Sequence, residues 1–320
     1  MSATPNGTGA HTLAAGHQAM QDSRTSESEV GYAAWATWHA RRESALAAPY
    51  GWLSQTGLYW LNALNGHSVS IPGIPGIWEQ RNNAVWFIPS QAQTSQTSRE
   101  ESSWLVSGER RTPVTDATAV ASDADQEPTY IEHDGLRAFV IERDGAFAIR
   151  VRDPNSQSRL QFSGVPVFPF TPSWAVEARF IPFASRKDTT VGTHTAGLNS
   201  TIPAVGEIVL RLAGEPQRLL AFDGGGDDEG NRELFLIFRD ATNGSATYAS
   251  GRFLNIALPQ QFRNDDGEVA ITLDFNRAVN PPCALSPYCT CPLAPAQNVM
   301  PVGVTAGERI GSPSAPDDRS

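Results

Sequence analysis

Lysine is nearly missing from this chain: of its 24 lysine and arginine residues, Lys187 is the single lysine. A Walker-type phosphate loop, a Ser-x-x-Lys nucleophile and a Schiff-base lysine each need lysine in a set context, and Ser185-Arg186-Lys187-Asp188-Thr189 supplies none of them. His-Glu-x-x-His and Gly-x-Ser-x-Gly are missing too, which removes the familiar zinc-protease and α/β-hydrolase signatures. The formal net charge is −10 and no basic stripe is present. Nucleic acids and anionic membranes both require a cationic face that displaces counterions, so neither is an expected partner. No apolar run is long enough to cross a bilayer as a helix. Three cysteines in 320 residues do not make a disulfide scaffold, and a reducing, cytoplasmic setting is the default. Residues 1–28 are rich in Ser, Thr, Gly and Ala but lack the charged start and apolar run of a secretory signal. They read as a disordered tail, as do residues 311–320.

What the chain does have is apolar content, 40% of its residues, enough to bury a sizeable core as one large β domain or two smaller units. Ser26 and Glu29 have the spacing of a capping box, and Trp35, Trp38, Arg42 and Leu46 follow at helical spacing up to Pro49. One amphipathic helix is expected there. The aromatic stretch from Tyr50 to Leu61 reads as core or as a helix-to-sheet junction, with packing the simpler account of its tryptophans. Beyond it, short alternating runs separated by turn residues signal antiparallel β structure. Strands are expected at 84–88, 174–181, 207–212, 218–222, 234–238, 252–258 and 269–275. The clearest hairpin joins 137–141 to 147–152 through Asp144-Gly145, a pair suited to the positive φ angles of a tight turn. The polar stretch 91–128 reads either as a long hairpin excursion or as the division between an N-terminal unit, 29–125, and a main β domain, 126–310. The fold class is therefore mainly β: an antiparallel sandwich or barrel with one N-terminal amphipathic helix and an ordered Pro/Cys-rich C-terminal loop.

Two clusters carry chemistry-bearing residues. In Phe238 to Leu254, the long polar side chains Arg239, Asp240, Tyr248 and Arg252 sit on what reads as a strand, an Asn-Gly turn and a returning strand. Inside a barrel such residues form a ligand pocket or a structural ion-pair network. The second cluster, Asp274 to Leu293, holds all three cysteines and four prolines. Each proline removes a backbone donor, so this segment follows an irregular path fixed by local contacts. Asp274, Asn276, Asn280 and Asn298 are suited to capping the backbone groups left open. The spacing of Cys283, Cys289 and Cys291 is wrong for a zinc knuckle, so no metal site is expected. No histidine is placed beside Cys283 by sequence, which weakens a nucleophilic role. The acidic, glycine-rich stretch 223–231 does not follow the EF-hand order and reads as a solvated loop.

Asp274-Phe275-Asn276, Asn280-Pro281-Pro282-Cys283, Cys291-Pro292-Leu293, Asn298 and Ala306-Gly307-Glu308 together resemble domain-of-unknown-function family 1684, a group of uncharacterised bacterial and fungal proteins. Phe238-Arg239-Asp240-Ala241-Thr242, Thr247-Tyr248, Gly251-Arg252-Phe253-Leu254, Ala178-Arg179-Phe180 and Gly51-Trp52-Leu53 extend the resemblance backward. It implies no catalytic residue, substrate or cofactor. Cys289 looks additional to the family's cysteines, and Ala294 stands where a second proline is expected.

The leading functional reading is an enzyme acting on a small organic molecule. Asp240, Tyr248 and Asp274 would be its acid–base groups, with Arg239, Arg252, Asn276, Asn280 and Cys283 contacting the substrate. The alternatives are a non-catalytic small-molecule-binding β module and purely structural polar clusters. None of the three requires a cofactor, and the only partner implied is a small-molecule ligand or substrate.

Overall fold

The computed structural model describes residues 29–63, 66–90, 102–226, 231–260, 262 and 267–311. Ser26 of the expected cap, both expected tails apart from Gly311, and parts of the polar 91–128 and acidic 223–231 stretches lie outside these residues. The expected helix is present as α1, residues 29–46, with Trp35 and Leu46 buried. The chain then turns through a 3-10 segment, Trp52–Ser54, into sixteen strands, and the fold is mainly antiparallel β.

The N-terminal strands form two sheets. One runs β1-β10-β9-β8-β5-β6 and the other β2-β3-β4-β7. In the first sheet β1 is Gln55–Leu61, β5 Trp104–Ser107, β6 Arg110–Pro113, β8 Tyr130–His133, β9 Leu136–Arg143 and β10 Ala146–Arg152. In the second, β2 is Ser68–Ile71, β3 Ile74–Arg81, β4 Ala84–Pro89 and β7 Thr118–Val120. Trp78 and Phe87 of the smaller sheet share one core with Ile131, Val140 and Ile149 of the larger, so the two pack as a sandwich. Asp144 at φ 51° and Gly145 at φ 74° make the tight turn between β9 and β10 that the sequence predicts. The aromatic stretch resolves as β1, paired with β10 from Gln55↔Arg152 to Leu61↔Phe147. Pairing also crosses the division expected at 125/126. β8, β9 and β10 complete the sheet begun by β1 and β5, so one sheet draws its strands from both sides of that division.

After a short helix, α2 at Gln157–Leu160, the remaining strands build one curled sheet in the order β15-β14-β13-β12-β11-β16. These are β11 Ala175–Gly192, β12 Asn199–Leu212, β13 Glu215–Gly226, β14 Arg232–Phe238, β15 Arg252–Ala257 and β16 Val269–Asp274. Alternation puts Phe180, Ile208, Leu210, Leu219, Leu236, Leu254 and Leu273 on one face, where they form the larger core. The C-terminal segment beyond Asp274 closes this half-barrel. It adds Phe275, Ala278, Met300, Val304 and Ala306 to the core. Val279 exchanges two backbone bonds with Phe253, of 2.9 and 2.8 Å, and so covers part of the open edge of β15. Asn298, fully buried, inserts where the β13–β14 ladder opens: its amide donates to Leu220 O at 2.9 Å and Ile237 O at 2.8 Å and accepts from Leu220 N at 2.7 Å. The expected ordered C-terminal loop thus closes the sheet with a buried amide and apolar residues that replace missing ladder bonds. Among the described residues no helix is long and apolar enough to cross a membrane.

Candidate functional site

The sequence-predicted residues fall into three places rather than one. The first is a buried ionic knot. Arg252 opens β15, and Asp240 lies two residues past β14, on the long connection between these strands. Their side chains are 0% exposed and pair at 2.9 Å. The other Asp240 oxygen accepts from Thr242 N at 2.9 Å, Thr242 Oγ1 at 2.5 Å and Val304 N at 3.1 Å. Arg252 donates further to Val304 O at 2.8 Å, Ala306 O at 2.5 Å and Glu308 O at 3.2 Å. Burial lowers the pKa of this guanidinium, and Asp240 opposes that effect. Next to it, the Glu308 carboxylate is paired with Arg42 of α1 and accepts from Asn280 N at 2.6 Å. Arg42 also reaches Asn280 O at 3.0 Å. This knot ties α1, β15 and the C-terminal segment together. With its oxygens bonded to four donors, Asp240 has no free position from which to act on a substrate.

The second place is the junction after β16. Asp274 Oδ1 accepts from Asn276 N at 3.1 Å and Asn276 Nδ2 at 2.8 Å, capping the 3-10 turn Phe275–Arg277. Asn276 then exchanges bonds with Thr171 N at 3.1 Å and Thr171 O at 3.0 Å, and its carbonyl accepts from Trp35 Nε1 at 2.8 Å. These are backbone-satisfying contacts. The side chain of Arg239 is exposed and lies apart from the knot, while its backbone bonds to Asn298 and Met300.

The third place joins the two halves of the molecule. Cys283, Cys289 and Cys291 are free thiols, all buried, packed with Tyr248, Trp52 and Phe253. Tyr248 donates to Cys283 O at 3.2 Å, and burial together with Cys283 pushes its phenol up to about 12. From the N-terminal sheet come Gln55 of β1, whose Oε1 lies 3.2 Å from Cys289 Sγ, and Arg150 of β10, 5.7 Å above the Trp52 ring. Sequence reasoning missed both. Arg150 has a legible signal, an arginine inside the apolar run Phe147-Ala148-Ile149-Arg150-Val151 with buried residues on either side. Gln55 has none, because its partner lies 234 residues away. Among the described residues no group of three or more His, Cys, Asp or Glu is arranged to hold a metal ion.

A cavity of about 1120 Å³ lies against β11, β12, β16 and the end of β15, and none of the residues predicted for the polar pocket borders it. Its walls include Ala178, Leu210, Leu258 and Ile271, with Glu177, Arg179, Arg211 and Thr272 supplying polar groups. Arg179 is tied to Glu268 at 2.7 Å and Arg211 to Gly214 O at 2.8 Å. A smaller cavity of about 610 Å³ lies beside β1 and β2.

Comparison with known proteins adds kinship without activity. No curated protein matches the chain. The solution NMR structure of an uncharacterized protein from Haloarcula marismortui is similar at 32% identity, covering 48% of this chain and 79% of that one, with a TM-score of 0.39. The family profile described as "Protein of unknown function (DUF1684)" matches residues 160–309, which span the curled sheet and the C-terminal segment with its cysteines. This chain belongs to the DUF1684 family.

Proposed function

We propose that the chain is a small-molecule-binding β module whose ligand occupies the cavity against β11, β12, β16 and the end of β15, and that its buried polar clusters serve the fold. The observation that carries this reading is a separation: the large cavity has an apolar wall with a few polar groups, while Asp240, Asp274 and Asn276 are bonded to structural partners elsewhere. A volume of about 1120 Å³ suits a small organic ligand, and pockets of this kind are typically apolar with a few placed polar groups. Arg179 and Arg211 beside Leu210 and Ile271 favour an amphipathic organic anion, its acid group at the guanidinium edge and its hydrocarbon on the wall.

Titration with 8-anilinonaphthalene-1-sulfonate, an anionic amphiphile, tests this. Saturable binding to the folded wild type is expected, with loss of binding in an Arg179→Ala/Arg211→Ala variant, which removes both guanidinium groups from the lining, at unchanged circular dichroism. Binding that is absent in the wild type, or equal in the variant, overturns the reading.

A further inference from the structure

Arg150 poses a question that its own sheet does not answer. It is 7% exposed, its Nε has no hydrogen-bond partner, and among the described residues it forms no ion pair. Asp123, a carboxylate acting on it at longer range, is committed to Arg143 at 2.7 Å. A guanidinium so buried needs a counter-charge, because desolvating an unpaired cation costs several kcal/mol. Strongest among the charges favouring its ionised form is Cys289, with Cys291 adding to it.

Gln55 raises the same question from the other side. It is 4% exposed and its Nε2 is without a partner, while its Oε1 faces Cys289 Sγ at 3.2 Å. Turning the carboxamide end for end places Nε2–H on the sulfur at the same distance, which satisfies the orphaned donor if that sulfur is an anion. The three cysteines pack in one buried cluster, and Cys283 N donates to Cys291 Sγ at 3.3 Å. Contact with Cys291, then the Arg150 charge, lowers the pKa of Cys289 against the effect of burial. Cys291 is pushed up to about 12: the bond from Cys283 lowers it, but its role as donor to Cys289 and its burial win. Cys283 is raised, first by its bond to Cys291 and then by burial. The groups facing Cys289 are therefore Ser286, Cys291 and Cys283 of its own segment, Gln55 of β1, and Arg150 and Arg152 of β10.

We propose that Cys289 is a thiolate paired with Arg150 and that, with Cys291, it forms a dithiol site that reacts with hydrogen peroxide. The Cys289 sulfur attacks one peroxide oxygen, the O–O bond breaks, and the departing hydroxide takes up a proton and leaves as water. Cys289 is then the sulfenic acid. The Cys291 sulfur, from the same buried cluster, attacks the Cys289 sulfur, the S–O bond breaks, and the hydroxyl leaves as a second water with the Cys291 proton. Two thiols are oxidised to one disulfide and one peroxide is reduced to two waters. At 1% exposure Cys289 is shielded from bulky oxidants, which is why the small oxidant hydrogen peroxide is the one proposed.

The test treats the full, reduced chain with hydrogen peroxide and follows it by intact mass and peptide mapping. A loss of two hydrogen atoms with a Cys289–Cys291 link is expected, as is a dimedone adduct on Cys289 in Cys291→Ser. Arg150→Met should slow the reaction at least tenfold. The wild-type rate should be flat from about pH 6 to pH 8, as for a pre-formed thiolate, whereas a rise of about tenfold per pH unit marks an ordinary thiol. Native protein that does not react at Cys289, or a rate that climbs with pH, overturns the proposal. So does a folded Arg150→Met that reacts as fast as wild type. The wild-type pH profile decides the matter even where the variant does not fold.

Discussion

Replacing Arg252 by methionine isolates what the buried knot does for the fold. The substitution keeps an unbranched apolar stem against Phe238 but strands the Asp240 carboxylate at zero exposure. Breaking a buried pair by removing one partner costs about 3–5 kcal/mol. The carbonyls of Val304, Ala306 and Glu308 also lose their guanidinium donor, each worth about 1 kcal/mol when the group stays dry. These terms overlap, because the C-terminal segment loosens once and then rehydrates, so the expected loss is about 4–6 kcal/mol. That is a large share of the about 5–15 kcal/mol by which domains are stable. Urea unfolding, followed by circular dichroism and by fluorescence of Trp174, which packs edge-on against Phe275 at 6.2 Å, measures the loss. Asp240→Asn on the Arg252→Met background removes the stranded charge and should recover about 2 kcal/mol. A loss below about 1 kcal/mol in the single variant, or no recovery in the double, would refute the account of this pair as a structural keystone.

Gly307→Ala should destabilise the chain by about 1–3 kcal/mol, because φ is 74° and an added Cβ runs into Ala278 O, Phe275 O at 2.8 Å and Ala278 Cβ at 2.9 Å. Thermal unfolding checks this, and an unchanged Tm would count against the tight seating of the segment. His133, bonded to Ser103 at 3.2 Å, has its pKa lowered by burial. Its neutral form is favoured in the fold, so stability is full above the unfolded value of about 6.5 and falls as pH drops from there through the folded value. Unfolding titrations at pH 7.5 and pH 5.5 should show less of this decline in His133→Gln than in wild type, and equal slopes would exclude the linkage.

Local chemistry made part of this fold readable and long-range partnership hid the rest. Asp144-Gly145 announces its hairpin because the turn conformation is a property of those two residues. β11 runs on to Gly192 well beyond the predicted Ile181, because Ala184 to Asp188 are exposed, leaving no alternation to see, and Lys187 to Gly192 pair with Asn199 to Ala204 through their backbones. Asp240 and Arg252 invite pairing by charge alone. Their burial depends on backbone groups at 304–308, more than fifty residues away, so residues suited to acid–base work prove to be structural groups committed to the backbone. The cysteines stand out in any reading of the chain. The arginine and glutamine that give them a chemical setting lie on strands from the opposite end of it.

Synthesis delivers the C-terminal segment last, and that order sets a clock on the whole molecule. Until Glu308 is made, Arg42 near the start of the described chain has no carboxylate to close on; until Asn298 arrives, the gap between Leu220 and Ile237 stays open. Until residues 304–308 are in place, Arg252 has Asp240 but none of its three carbonyls. Contacts of such sequence separation are slow to form and leave sheet edges uncovered in the interval. From Ala175 until residue 308 is made the nascent chain therefore carries an incomplete curled sheet, and a chain that stops before Phe275 is a product in which β15 lacks its cover and α1 lacks its dock.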